Sequence, residues 1–231
     1  MMLAAVLKSA PKRISRFFDR QRSQRRLSVF DRALRRFMNA PIDGDLPFPL
    51  LKDLVYGWDN TWSAQEEYIR AFLRAARQAR GPILECGSGL STVLLGAVAQ
   101  RTGNRVWSLE HDPLWLEKVR KTLSRHAIDA VTLCLANIVS YGPYSWYAPT
   151  LHRLPRDFGL IVCDGPPGTT PGGRYGFLPV MRSHCRQGCE ILLDDAARPS
   201  EHSVLEKWAI EMDTSFAIEG EMKPFGRLAM R

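Results

Sequence analysis

The sequence lacks the features that would place it in a membrane or an oxidising compartment. No apolar run reaches the roughly 18 residues that span a bilayer, so we expect no transmembrane segment. The five cysteines are odd in number and contain no C-x-x-C pair, which argues against a disulfide framework and a zinc site. The opening "MMLAAVL" has no basic region before it, so no secretory signal is expected. The sequence predicts a cytoplasmic protein, with peripheral membrane association or organelle targeting as alternatives.

Acidic residues are scarce in the first 40 positions, where Asp19 and Asp31 oppose 11 Lys and Arg. This segment therefore carries a charge of +9, whereas the rest of the chain is almost neutral. Apolar residues at helical spacing predict two amphipathic helices, with a capping box of Ser28 and Asp31 between them. Three roles are open for this basic extension: a solvated helical cap, a surface for anionic lipid or a partner, and nucleic-acid binding.

The boundary between two parts of the chain is predicted near residue 62. Residues 1–62 form the basic extension and a linker, "NAPIDGDLPFPL", and residues 63–231 form the main domain. In that domain Ser63 and Glu66 suggest a capping box for a helix that runs to Arg80. Strands and helices then alternate, which predicts a parallel sheet with helices on both faces and a ligand at the carboxyl ends of the strands. The predicted strands are 83–87, 105–110, 131–135, 158–163 and 189–193, the predicted helices are 91–100, 113–126, 178–187 and 200–211, and two further strands close the chain.

The stretch "ILECGSGLST" places two glycines at the turn from a strand into a helix, where a ligand can approach the backbone closely. The third glycine of the dinucleotide fingerprint is missing, because its position is Thr92. Glu85 lies two residues before the first glycine and would repel a pyrophosphate. This bend therefore favours a cationic ligand.

Together with "VWSLEHD", "DFGLIVCDGPPG" and "CEILLDDAARPSE", in this order and followed by a hairpin, that stretch resembles the class I S-adenosylmethionine-dependent methyltransferases over about residues 63–231. The resemblance implies an α/β Rossmann-like, doubly wound, mostly parallel seven-stranded sheet with a C-terminal antiparallel hairpin. It implies S-adenosylmethionine as the cofactor and methyl transfer as the activity.

The resemblance also assigns residues to the cofactor. Glu85 would hold its ammonium group, directly or through water, and Glu110 would accept hydrogen bonds from the ribose hydroxyls. Asn137 would meet the adenine edge, although a turn-forming asparagine is an equal alternative. The backbone of the bend would approach the methionine part of the cofactor through Gly87, Ser88 and Gly89. We assign Asp112, which precedes Pro113, to capping of the next helix.

Three acidic residues follow the last two predicted parallel strands. Asp164 and Asp194 are the candidate catalytic residues, and with Asp195 they are similar to the magnesium ligands of the catechol-type O-methyltransferase branch. The sequence departs from that branch in having Asp195 where an amide is usual. The alternative is that Asp164 lines the donor pocket while Asp194 and Asp195 form hydrogen bonds or caps.

The predicted acceptor side is formed by two loops. The irregular segment 138–157 is rich in aromatics and predicts a substrate-facing wall. In the glycine-rich "GTTPGGRYGF", Arg174 and Tyr175 are candidates for holding an anionic or sugar-like acceptor. In "DGPPG", Gly168 replaces the aromatic expected of enzymes that methylate planar amines. We therefore expect a hydroxyl of a small molecule as the acceptor, with RNA or protein, an NAD-dependent oxidoreductase, and a non-enzymatic membrane- or partner-binding module as alternatives.

Overall fold

The computed structural model describes the backbone of residues 3–44, 46–60 and 63–231, and the side chains of these residues from 21 onward. The chain divides into two compact units, residues 1–63 and 64–231. None of the described helices combines the length and the hydropathy that a membrane span requires. All five cysteines are free thiols.

The first unit contains two helices, α1 (Leu3–Asn39) and α2 (Phe48–Trp58). The prediction of two basic helices separated by a cap is wrong, because Ser28 and Asp31 lie inside the uninterrupted α1. No glycine or proline occurs between residues 12 and 39, so nothing breaks the helix over this stretch, and Pro11 lies inside α1 near its start. The apolar positions Ile14, Phe17 and Phe18 lie outside the described side chains.

Helix α2 lies where the sequence predicts a linker, between the basic extension and residue 62. Pro49 occupies the second helical position, where its missing N–H costs no hydrogen bond, and the helix ends at Asp59 in the left-handed conformation. Its Trp58 ring packs against Phe30 of α1 with ring centroids 5.4 Å apart. Gly57 lets the two backbones approach closely, because a Cβ there would lie 2.6 Å from the Phe30 nitrogen.

The second unit is a seven-stranded sheet with the order β3-β2-β1-β6-β7-β9-β8, and a separate two-stranded β4-β5 hairpin. Strands β3, β2, β1, β6 and β7 are parallel, and β9 and β8 are antiparallel to their neighbours. This confirms the predicted fold class. The strands are β1 (Ile83–Cys86), β2 (Val106–Glu110), β3 (Val131–Leu135), β4 (Ile138–Ser140), β5 (Ser145–Tyr147), β6 (Phe158–Cys163), β7 (Cys185–Leu193), β8 (Phe216–Glu219) and β9 (Phe225–Ala229). The helices are α3 (Glu66–Gln78), α4 (Leu90–Thr102), α5 (Pro113–Arg125), α6 (Phe177–Met181) and α7 (Pro199–Met212), with 3-10 turns at Leu151–Arg153 and Arg182–His184.

Three local predictions in this unit need correction. Helix α3 begins at Glu66 with Gln65 as its N-cap, so the predicted capping box of Ser63 and Glu66 does not start it. The segment 138–157 is not wholly irregular, since it contains the β4-β5 hairpin. The predicted helix 178–187 ends early, because β7 already begins at Cys185. The first residues of β7 are polar and mostly exposed, so no apolar run marked them as a strand.

The close approach of α1 and α2 predicts that Gly57→Ala destabilises the first unit. The new methyl group would overlap the Phe30 backbone and force the helices apart, at a cost of about 1–3 kcal/mol in the free energy of unfolding. Denaturant unfolding followed by tryptophan fluorescence measures this. Gly44→Ala is the matched control, because its nearest atom would lie at an ordinary 3.4 Å. Equal stability of the two variants would contradict the prediction.

Candidate active site

The carboxyl ends of β1 and β6 are joined by one carbonyl group. The Cys86 oxygen accepts hydrogen bonds from the Asp164 nitrogen at 3.0 Å and the Gly165 nitrogen at 2.6 Å. Gly87 follows at φ +91°, and a Cβ on it would lie 2.9 Å from the Gly165 nitrogen. The predicted cofactor bend therefore lies directly against the loop that carries Asp164.

Glu85 is fully buried behind this bend. Its Oε2 accepts hydrogen bonds from the hydroxyls of Thr92 at 2.6 Å and Ser108 at 2.5 Å. Its Oε1 is buried and has no hydrogen-bond partner among the residues that the structure describes. Burial raises the pKa of Glu85 to about 7, although the Ser108, Ser91 and Thr92 hydroxyls stabilise the ionised form. A buried carboxylate with one open oxygen can accept a proton or a cationic donor.

Glu110, at the end of β2, is fixed by four hydrogen bonds. Its Oε2 accepts from the Ser88 nitrogen at 3.1 Å and the Ser88 hydroxyl at 2.8 Å. Its Oε1 accepts from the nitrogens of His111 at 2.7 Å and Asp112 at 2.9 Å. The structure thus places Glu110, the predicted partner of the ribose hydroxyls, next to the predicted cofactor bend. Because the Ser88 hydroxyl already uses one of the oxygens, a ribose diol would have to replace that hydroxyl.

Trp115 on α5 is part of this site and was missed by sequence reasoning. Its indole nitrogen donates to the Ser88 carbonyl at 2.7 Å and so holds the bend from the side of α5. The predicted capping role of Asp112 is confirmed, because its Oδ1 accepts from the nitrogens of Leu114 and Trp115. The Asp112-Pro113 helix start was therefore the available signal, since it places residue 115 in the first turn beside the strand ends.

The three predicted acidic residues converge at the ends of β6 and β7. One carboxylate oxygen from each of Asp164, Asp194 and Asp195 lies within 4.8 Å of the others. Asp194 is fully buried, Asp195 is 7% exposed and the Asp164 side chain is 22% exposed. Burial and the neighbouring Asp194 raise the pKa of Asp164 to about 7. We name these three residues the acidic cluster.

The acidic cluster is paired with three cations, namely Arg174, Lys223 and Arg198. The Arg174 guanidinium donates to Asp164 Oδ1 at 3.2 Å, to Asp195 Oδ2 at 3.1 Å and to the Asp194 carbonyl at 2.6 Å. Lys223 Nζ lies 2.7 Å from Asp194 Oδ2 and 3.0 Å from Asp195 Oδ1, and Arg198 pairs with Asp195 Oδ2 at 2.8 Å. Burial raises the pKa of Asp195, but Arg174 and Lys223 outweigh it and hold that pKa below its usual range. Three carboxylates thus face three cations of the same chain.

This arrangement does not fit the magnesium ion that the sequence suggested. Magnesium requires several oxygen ligands at about 2.0–2.1 Å in octahedral geometry. Both Asp194 oxygens are in use, one by Lys223 and one by the Asp195 nitrogen at 2.8 Å, and Asp195 bonds to cations through both of its oxygens. The acidic cluster and its three paired cations therefore form an ion-pair network in which the protein itself neutralises the carboxylates.

The two predicted acceptor residues of the glycine-rich loop are separated in the structure. Arg174 is 2% exposed and is paired with the acidic cluster. It could therefore affect an acceptor only by positioning these carboxylates. The Tyr175 hydroxyl instead donates to Glu211 Oε1 of α7 at 2.7 Å, which raises its pKa to about 12. Asn137 is exposed just beyond β3, and its role at the adenine stays a prediction.

An aromatic row lies beside this loop. The rings of Tyr141 and Tyr144 are stacked with centroids 5.5 Å apart, and Tyr144 meets Tyr175 edge-on at 5.2 Å. Tyr141 is 38% exposed, whereas Trp146 and Tyr147 of the same segment are buried in the core. Only part of the predicted aromatic wall therefore faces outward.

Residues 84–196 match the family model described as a methyltransferase domain. No match was found among curated proteins. The matched segment contains the predicted cofactor bend, Glu110 and the whole acidic cluster, and it removes the dinucleotide oxidoreductase from the alternatives.

Solved structures share the fold at low sequence identity. An O-methyltransferase from Bacillus cereus in complex with SAH is 16% identical over 88% of this chain and 91% of its own, with a TM-score of 0.54. A precorrin-6y C5,15-methyltransferase from Geobacter metallireducens is 15% identical over 74% of this chain and 92% of its own, with a TM-score of 0.53. An rRNA methylase from Streptococcus thermophilus is 12% identical over 73% of this chain and 99% of its own, with a TM-score of 0.51.

The open oxygen of Glu85 predicts that S-adenosylmethionine affinity depends on pH. An ammonium group favours the ionised carboxylate, so affinity should rise between pH 5.5 and 7.5 and approach about tenfold per pH unit well below the pKa of about 7. Calorimetry across this range measures it. Glu85→Gln should bind more weakly and lose the pH dependence, whereas Glu117→Gln, at a partly exposed position of α5, is the control. A pH dependence that persists in Glu85→Gln would contradict the role of Glu85 as the partner of the ammonium group.

Proposed function

We propose that this chain, whose residues 84–196 match the family model of a methyltransferase domain, is a class I S-adenosylmethionine-dependent methyltransferase that methylates a hydroxyl group of a small molecule with assistance from a carboxylate. The observation that carries this proposal is the position of Asp164. Its loop touches the cofactor bend through Gly165 and Gly87, and its side chain is the most exposed of the acidic cluster.

The methyl donor binds with its methionine part along the backbone of Gly87, Ser88 and Gly89. Glu85 interacts with the ammonium group, and Glu110 with the ribose hydroxyls. Two observations support this orientation: both carboxylates are buried at the ends of adjacent strands, and the Ser88 bonds to Glu110 link the two binding points.

Asp164 takes the proton of the acceptor. Its Oδ1 is held by Arg174, and no partner is found for its Oδ2 among the residues that the structure describes. As the acceptor oxygen forms its bond to the methyl carbon, the S–CH3 bond breaks and its electron pair stays on the sulfur. The products are a methyl ether, neutral S-adenosylhomocysteine and a protonated Asp164, which returns its proton to water.

The tyrosines of the aromatic row favour a planar acceptor. Tyr141, Tyr144 and Tyr175 present ring faces and edges beside the loop that carries Arg174. Offset and edge-on contacts between aromatic rings are worth about 0.5–1.5 kcal/mol beyond the burial of their area. A phenolic hydroxyl, whose proton is more easily removed than that of an alcohol, fits such a wall.

One observation favours RNA as a second candidate acceptor. In the part of helix α1 whose side chains the structure describes, five arginines are exposed, namely Arg22, Arg25, Arg32, Arg35 and Arg36. Neutralisation of phosphates by such residues makes binding strongly dependent on salt. A methyl-transfer screen against phenols, sugars and transfer RNA separates the two. Methylation of RNA that falls steeply with salt and is lost in R32Q/R35Q/R36Q would favour the second candidate over the first.

The role of Asp164 predicts that Asp164→Asn lowers kcat by about 100-fold or more, because general-base catalysis contributes about 10²–10⁴-fold. S-adenosylmethionine affinity should change by only a few-fold, since the methionine and ribose partners are intact. Steady-state kinetics with a phenol found in the screen and calorimetry measure the two quantities. Asp129→Asn, at an exposed position between α5 and β3, is the control. Full kcat in Asp164→Asn would rule out its role as the base.

A further inference from the structure

We propose that Lys223, which is paired with the acidic cluster, binds the acceptor oxygen. Its ammonium group takes the place where a metal-dependent methyltransferase holds a divalent ion. This inference deepens the proposed function and rests on it. It follows from three features of the structure: the pairing of Lys223 inside the cluster, the support of its turn, and the charge that a metal would have to displace.

Lys223 is tied to the acidic cluster through two carboxylates. Its Nζ lies 2.7 Å from Asp194 Oδ2 and 3.0 Å from Asp195 Oδ1. Burial lowers the pKa of Lys223, but Asp194 and the other two acidic residues outweigh it and raise that pKa. The side chain is 28% exposed, so it remains open to a ligand from one side. An ammonium has three N–H donors, and one of them is left for a further acceptor.

The turn that carries Lys223 is held from two directions. The Glu67 carboxylate on α3 accepts hydrogen bonds from the nitrogens of Glu221 at 3.1 Å and Met222 at 3.0 Å, which lowers the pKa of Glu67. The Pro224 carbonyl accepts from the Ala196 nitrogen at 2.8 Å, just beyond the acidic cluster. Lys223 therefore stands on a fixed backbone, which is the support that a positioned catalytic cation needs.

A divalent ion would have to displace this ammonium. Asp194 is fully buried and Arg174 is 2% exposed, and Arg174 stays charged at any pH that a protein tolerates. Adding a dication beside Arg174 while Lys223 remains would bring like charges close together, and they would repel each other strongly in a poorly solvated site. With its own cations in place, the acidic cluster excludes magnesium and holds Lys223 instead.

The position of Lys223 gives it a chemical task. In the proposed reaction the acceptor oxygen gains negative charge as its proton passes to Asp164. The remaining N–H of Lys223 donates to that oxygen while the S–CH3 bond breaks and the O–CH3 bond forms. The ammonium keeps its proton throughout, so no proton or electron is added to the balance of the reaction.

Metal binding tests the assignment without any acceptor. Wild-type protein titrated with Mn²⁺ at millimolar concentration should leave the electron paramagnetic resonance signal of free Mn²⁺ unchanged. Lys223→Ala should gain a site, because three carboxylates then face only Arg174 and Arg198, and D194N/K223A should lose it again. A wild-type protein that binds one Mn²⁺, or a Lys223→Ala protein that binds S-adenosylmethionine normally but gains no Mn²⁺ site, would overturn the inference.

Kinetics tests the catalytic role. With an acceptor from the screen, wild-type kcat should be the same in excess magnesium and in chelator, and Lys223→Met should lower kcat by about 100-fold, as loss of one such donor does. Lys223→Arg should recover part of kcat. Cofactor affinity should be unchanged in both variants. Lys121→Met, at an exposed position of α5, is the control.

The results separate failure of this inference from failure of the proposed function. Activity that chelator abolishes, or a Lys223→Met kcat equal to that of wild type, overturns the role of Lys223 while the proposed function stands. If no hydroxyl acceptor is methylated, the proposed function fails, and the Mn²⁺ titrations still decide whether Lys223 occupies the cation position.

Discussion

The double hydrogen bond to the Cys86 carbonyl is the constraint on which the rest of the site depends. It holds the end of β1 against the end of β6, so that the predicted cofactor bend and the loop of Asp164 touch through Gly87 and Gly165. In-line methyl transfer needs donor and acceptor groups held at near-contact distance. Under the proposed function, parallel pairing of two neighbouring strands would supply this alignment.

Electrostatics then divides the site into two halves of different character. On the donor side Glu85 is buried beside hydroxyls alone, which leaves it ready for a cation. On the acceptor side Asp164 lies in a network where each carboxylate meets a guanidinium or an ammonium. Removing one partner from a buried ion pair leaves an uncompensated charge and is strongly destabilising. In our proposal, the same carboxylate chemistry thus serves binding in one half and proton transfer in the other.

The sequence predicted the parts of the fold that have a local signal. Apolar runs marked the parallel strands, and each predicted acid sits where a strand ends, so Glu85, Glu110 and Asp164 could be placed from the chain alone. Lys223 could not, because only the antiparallel pairing of β9 with β7 brings it to Asp194, 29 residues earlier in the chain. Helix α2 was missed because its short apolar segment lies between prolines and a glycine that are typical of linkers.

The support of Lys223 comes from parts of the chain outside the segment that matches the family. That segment, residues 84–196, contains neither Glu67 nor Lys223. The two flanks meet where the Glu67 carboxylate of α3 accepts hydrogen bonds from the turn before β9. A substitution at Glu67 can therefore shift Lys223 beside the acidic cluster while every residue of the matched segment stays unchanged.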